Sequence, residues 1–85
     1  MDAKLKAFQS LLNTMKDLRE QCPWDRKQTM ESLRPNTIEE TYELADAILE
    51  KEPGQIKEEL GDLMLHVVFY SRIGKEDGNF DIADV

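Results

Sequence analysis

The stretch from about Gln55 to Ile73 carries apolar side chains on nearly every side of a helix, and an 85-residue chain has little to cover them with. Ile56, Leu60, Leu63, Val67 and Tyr70 form one stripe at three- and four-residue steps. Met64, Leu65, Val68, Phe69 and Ile73 extend it around the wheel. A helix of this kind must be buried on all sides. The sequence offers two further long helices as cover. Ala3 to Glu20 is amphipathic, with Leu5, Phe8, Leu11, Leu12, Met15 and Leu18 on one face. A second helix is predicted to open at Asn36 or Thr37, either of which can cap it, and to stop before Pro53-Gly54. Its predicted core stripe is Ile38, Tyr42, Ala45, Ile48 and Leu49. Three helices of one short chain cannot enclose the last of them. The expected fold is therefore an all-α helical bundle completed by self-association, by helices beyond Val85, or by both.

The connecting segments are short. Pro23 disfavours helix at Cys22 and predicts a break over Gln21 to Asp25. A brief helical piece around Thr29 to Leu33 is expected to end at Arg34-Pro35-Asn36. Gly78 to Val85 reads as the start of a further element. Residues 1–85 thus read as a single small domain that continues past its C-terminal end.

Size and composition narrow the function. A domain this small buries only about 60–65% of the surface its unfolded chain exposes and usually needs a metal or a partner subunit. Cys22 is the one cysteine, so an internal disulfide is excluded. A lone thiol and no leader segment fit a reducing cytoplasm. No apolar run approaches the roughly 20 residues of a membrane helix. The net charge of −7 lacks the basic patch of a nucleic-acid binder.

That negative charge is concentrated in Glu39-Glu40-Thr41-Tyr42-Glu43 and Glu58-Glu59-Leu60-Gly61-Asp62. Each cluster sets two acids three residues apart, on one face of a helix. On a helical wheel, Glu39 and Glu43 fall between about 80° and 140° from Ile38, and Glu40 at about 200°. Glu59, Asp62 and His66 share a stripe beside the apolar one that contains Ile56. Acids opposite a core are ordinary solvated surface. Acids beside a core face desolvation, which is unfavourable without a partner, and the nearby Lys57 points away from Glu59 and Asp62. A zinc site would want more His and Cys than one of each. A ferritin-like di-iron site would want Glu-x-x-His, and Leu63 stands three residues before His66. Carboxylates alone suit Mg²⁺, or Mn²⁺, which keep water and engage phosphates.

Glu39-Glu40-x-x-Glu43 followed by Glu59-x-x-Asp62 resembles the signature of the all-α nucleoside triphosphate pyrophosphohydrolases. Cys22-Pro23-Trp24-Asp25, Gln28-Thr29, Ser32-Leu33-Arg34-Pro35, Glu59-Leu60-Gly61-Asp62-Leu63, Val67-Val68-Phe69 and Gly78-Asn79-Phe80-Asp81 narrow the likeness to the MazG type. The resemblance implies Mg²⁺-dependent hydrolysis of nucleoside triphosphates to monophosphate and pyrophosphate, in nucleotide-pool cleaning, by homodimers or homotetramers. It implies Glu40, Glu43, Glu59 and Asp62 as metal ligands and Glu39 as a helper. MazG domains are longer than this chain, which looks like their front part.

The remaining candidates keep two readings each. Glu39 is a general base, or a residue that complements the helix dipole. Trp24 stacks on a nucleobase, or plugs the end of the bundle. Lys27, Arg34 and Arg72, with Arg26 and Lys75, are the cations available to phosphate. His66 supports the acidic site from one turn away, or is a hydrogen-bonded core histidine. Cys22 reads as a packing residue. The alternative to an enzyme is a non-catalytic helical oligomerisation domain of a larger MazG-like protein that retains the acidic motif.

Overall fold

A computed structural model describes residues 2–85. Its helices are α1 (Ala3–Gln21), α2 (Pro23–Arg26), α3 (Met30–Leu49) and α4 (Pro53–Glu76), with no strand among the described residues. The all-α expectation holds. The chain divides into two compact units. One runs to Gln28 and resumes at Val68–Val85, and the other is Thr29–Val67.

In the first unit, Asp2 caps α1 by accepting the Lys4 N–H at 2.7 Å. Cys22 ends α1, donating its N–H to the Leu18 carbonyl at 2.9 Å, and then serves as the N-cap of α2. The expected break is a change of direction. Pro23 stands at the first position of a single-turn helix, where the missing N–H has no helical partner to lose. Met15, only 1% exposed, is buried along with Val68, Phe69, Ser71, Ile73 and Gly74 from α4. Arg19 ties the unit together. Its Nη1 donates to the carbonyls of Asp25 at 2.7 Å and Gln28 at 3.0 Å. Its Nε and Nη2 grip the Glu76 carboxylate, and its guanidinium carbon lies 5.7 Å from the Phe69 ring centroid. A planar fork fits this bidentate arrangement as a lysine cannot. The grip holds the Glu76 carboxyl below its ordinary range.

At the end of α4, Gly78 adopts φ +76°. The Asn79 N–H returns to the Gly74 carbonyl at 2.9 Å and the Gly78 N–H to that of Lys75 at 3.1 Å, a Schellman closure. The turn lays Phe80 against Gly74, where an added Cβ would come within 2.5 Å of the ring.

The second unit is a helical hairpin. Thr29 opens α3 with a reciprocal cap. Its Oγ1 accepts the Ser32 N–H at 3.0 Å while Ser32 Oγ accepts the Thr29 N–H at 2.8 Å. The helix therefore begins seven or eight residues before the predicted Asn36 or Thr37 and runs through Pro35. Buried Leu33 anchors the turn ahead of the proline, and the one carbonyl that loses its donor belongs to exposed Glu31. The α3–α4 turn is a second Schellman closure. Glu52 N–H bonds the Ala47 carbonyl at 3.3 Å, and Lys51 takes the left-handed position at φ +57°.

The predicted core stripe of α3 is not its buried face. Tyr42 is 70% exposed and Leu49 81%, and Ile38, Ala45 and Ile48 are exposed as well. The covered positions of α3 are Met30, Leu33, Thr37, Glu40, Leu44 and Ala47. On α4 they are Ile56, Glu59, Leu63, Leu65 and His66. A wheel reveals which face is apolar, whereas the hairpin partner decides which face is covered. Here the two differ, and Leu60, Met64 and Val67 of α4 are also left open.

Candidate metal centre

Consequently the acids lie closer to the core than expected. Glu40 and Glu59 lie on the covered faces of α3 and α4, within the stripe itself. Thr37, Glu40, Leu44 and Ala47 recur at three- and four-residue steps, so Glu40 is carried to the seam by the same register that buries Ala47. Glu59 occupies the matching place on α4 between Ile56 and Leu63.

Glu40, Glu43 and Glu59 each present one carboxylate oxygen within 4.8 Å of the others. Glu40 Oε2 and Glu59 Oε2 are fully covered and meet no hydrogen-bond donor. Both residues are only half-buried as wholes, so the cover is local to those atoms. Ionised carboxylates have acceptors only, and acceptors facing acceptors repel unless a proton or a cation sits between them.

The electrostatics express that conflict. The Glu40 carboxyl is raised, first by loss of hydration and then by the charges of Glu43 and Asp62. Glu43 is raised chiefly by its contact with Glu59, and also by desolvation and the charge of Glu39. Glu59 is raised chiefly by its contact with Glu40, with desolvation and Asp62 adding to it. The chief causes of these shifts are lost hydration and neighbouring carboxylates. The donor set fits a hard divalent cation. Two oxygens bound at about 2.1 Å to one Mg²⁺ lie at most about 4.2 Å apart.

The other predicted site residues fall outside this group of three. Asp62, one turn past Glu59, is exposed and acts on Glu40 and Glu59 through its charge. Glu39 is exposed and acts on Glu43 in the same way. Arg34 is exposed on α3. Trp24, Lys27 and Arg72 belong to the other unit. Trp24 is 73% exposed on α2, so it plugs nothing within this chain. Lys27 is the exposed C-cap of α2. Arg72 faces Glu20 and Glu76 at 3.9 Å each, and its Nε is buried without a hydrogen bond.

One contact was not legible in the sequence. Thr37 Oγ1 lies 2.7 Å from His66 Nδ1, bridging α3 and α4. The stripe shared by Glu59, Asp62 and His66 pointed to the histidine. Nothing marked Thr37 as its partner, because only the hairpin register brings the two together.

An antiparallel pair of helices that gathers Glu40 and Glu43 from one and Glu59 from the other defines an all-α, acid-lined class of site. Residues 28–85 match the MazG nucleotide pyrophosphohydrolase domain, and the chain belongs to that family. It is 55% identical over 80 residues to the nucleoside triphosphate pyrophosphohydrolase/pyrophosphatase MazG of Thermotoga maritima, covering 92% of this chain and 31% of that protein. It is 41% identical over 76 residues to the nucleoside triphosphate pyrophosphohydrolase of Escherichia coli K12, covering 89% of this chain and 29% of that one. A crystal structure of a MazG-related protein from Thermotoga maritima superposes with a TM-score of 0.81 at 25% identity, covering 89% of this chain and 67% of that one. The chain thus spans about a third of the length of these curated relatives. No helix among the described residues is long and apolar enough to cross a membrane.

Proposed function

We propose that Glu40, Glu43 and Glu59, with Asp62 at the rim, hold Mg²⁺ (Mn²⁺ being the nearest substitute), and that the site serves hydrolysis of nucleoside triphosphates to monophosphate and pyrophosphate. The observation that carries this reading is the pair of covered, donorless oxygens on Glu40 and Glu59, converging with Glu43. The relatives from Thermotoga maritima and Escherichia coli, named as nucleoside triphosphate pyrophosphohydrolases, support the substrate class.

When bound, Mg²⁺ neutralises phosphate charge and lowers the pKa of bound water. In this reading water adds to the α-phosphorus, the α–β anhydride bond breaks, and pyrophosphate leaves. Glu40 and Glu59 supply buried anionic oxygens from two different helices, which fixes the position of positive charge between them. Glu43 stands at the exposed mouth of the cluster, toward arriving substrate. Glu39, exposed beside Glu43, is placed to take a proton from the attacking water. Arg34 is a cation of the same unit that can meet the outer phosphates. Trp24 offers an exposed ring for a base, and Lys27 and Arg72 remain the further cations for phosphate.

The open apolar faces of Ile38, Tyr42, Leu49, Leu60 and Met64 support a homodimer or homotetramer that covers them. The same exposure favours one second reading, a non-catalytic oligomerisation domain. Pyrophosphate release separates the two. Incubating the common nucleoside triphosphates with the full-length protein and Mg²⁺ should release pyrophosphate, and E43Q and D62N should abolish it. Release from none of them leaves the oligomerisation reading standing.

A further inference from the structure

We infer that Thr37 and His66 form a positioning pair that sets the spacing of the carboxylates. This inference rests on the metal-site reading above. Thr37 stands three residues before Glu40 on α3, and His66 four residues after Asp62 on α4, so each is one turn from the acids and on their face. The carboxylates are bracketed along the hairpin. On one side lies the tight turn at Glu50 to Glu52, and on the other the 2.7 Å contact between Thr37 and His66.

The bracket has a mechanical task. Three carboxylates whose charged forms disfavour one another push α3 and α4 apart, and the turn can resist this at one end only. Thr37 and His66 supply the cross-helix polar tie on the other side. The hydroxyl also sets the donor in that tie. A threonine has one proton, and Thr37 Oγ1 directs it to the Leu33 carbonyl at 3.2 Å. For both contacts to be hydrogen bonds, His66 Nδ1 carries a proton and donates it to Oγ1. The contact holds the imidazole in a fixed ring orientation, as outer partners hold residues around metal sites.

Calorimetric Mg²⁺ titration of the intact chain tests the pair, with thermal stability in EDTA measured alongside. H66L and T37V each remove the tie. H66N retains an amide where Nδ1 stood, and T37S retains the hydroxyl. H66L and T37V should each weaken Mg²⁺ binding about 10–100-fold. The double variant should be no weaker than either single one, because a tie can be cut only once. H66N and T37S should stay within about threefold of the parent. Parent-like affinity in a folded T37V overturns the inference and leaves the metal site intact, as does equal weakening by T37V and T37S. A parent chain that takes up no Mg²⁺ overturns the metal-site reading and the inference with it.

Discussion

Glu40 on α3 and Glu59 on α4 each bury a carboxylate oxygen, Oε2, where no donor reaches it. Their contact raises the Glu59 carboxyl, while Glu40 is raised mainly by lost hydration. An arrangement so unfavourable to the bare chain follows from use rather than from stability, since native structures leave few buried polar atoms unpaired.

Stability should therefore fall as pH rises from the ordinary carboxyl value through the raised ones. A carboxyl whose folded pKa is raised binds more protons folded than unfolded. Its unfavourable contribution is absent below the ordinary value of 4.5 and complete above the raised one. Glu76 works in the opposite sense, stabilising above 4.5 and losing that effect only as pH drops through its depressed value. In EDTA, the melting temperature should be higher at about pH 5 than at about pH 8. Millimolar Mg²⁺ should flatten or reverse the slope. A metal-free melting temperature that climbs steadily from pH 5 to 8 contradicts the electrostatic account.

Replacing Glu40 by Gln should separate stability from activity. The amide removes one like charge and adds a donor that Glu59 can accept, so the EDTA form should melt at a higher temperature than the parent. In the full-length protein, pyrophosphate release should fall on the order of 10²-fold or more, the usual scale for losing one preorganised electrostatic partner. Lower stability in EDTA together with lower activity would point to a packing role for Glu40.

Much of this centre was legible because a helix fixes what three-residue spacing means. Glu40 with Glu43, and Glu59 with Asp62, share faces wherever the helices go. The depth of Glu40 was not legible. The hydrophobic pattern marked Ile38, Tyr42 and Leu49 as the inner side of α3, yet within this chain α3 turns Leu33, Thr37, Leu44 and Ala47 toward its neighbour. Pro35 likewise looked like a stop, because the Thr29–Ser32 cap that starts the helix earlier is a side-chain exchange that a breaker residue outweighs on paper. The Arg19 clamp left no pattern at all. Its acceptors are backbone carbonyls six to nine residues on and a carboxylate 57 residues away.

That clamp should be costly to cut. Arg19→Met strands the Asp25 and Gln28 carbonyls and releases Glu76, for a loss of about 2–3 kcal/mol by urea unfolding. Arg19→Lys should recover less than half of it, since an ammonium cannot match the fork. Full recovery by lysine would show that charge, rather than planar geometry, holds the loop.

Lys51 should be improvable. It occupies the left-handed position of the α3–α4 turn at φ +57°, where a side chain costs about 1 kcal/mol relative to glycine. Lys51→Gly should raise the unfolding free energy by about that amount without altering Mg²⁺ binding. An unchanged or lower stability would mean that the lysine makes contacts worth more than the strain.

Gly74 and Phe80 should show strong coupling. A Cβ at position 74 would lie 2.5 Å from the ring, so Gly74→Ala should unseat Phe80 and cost about 1–2 kcal/mol. In a Phe80→Ala background the same change should become neutral or favourable, because alanine is the better helix former by up to about 1 kcal/mol. Equal effects in the two backgrounds would remove the ring from the explanation.

The central claim, that the seam between α3 and α4 is a divalent-cation site, is tested most directly by electron paramagnetic resonance of Mn²⁺. Titrating the chain into Mn²⁺ should quench the signal of the free hydrated ion, Mg²⁺ should restore it by competition, and E40Q and E59Q should abolish the quenching. Undiminished free Mn²⁺ at millimolar protein, or quenching that survives both substitutions, would contradict the account.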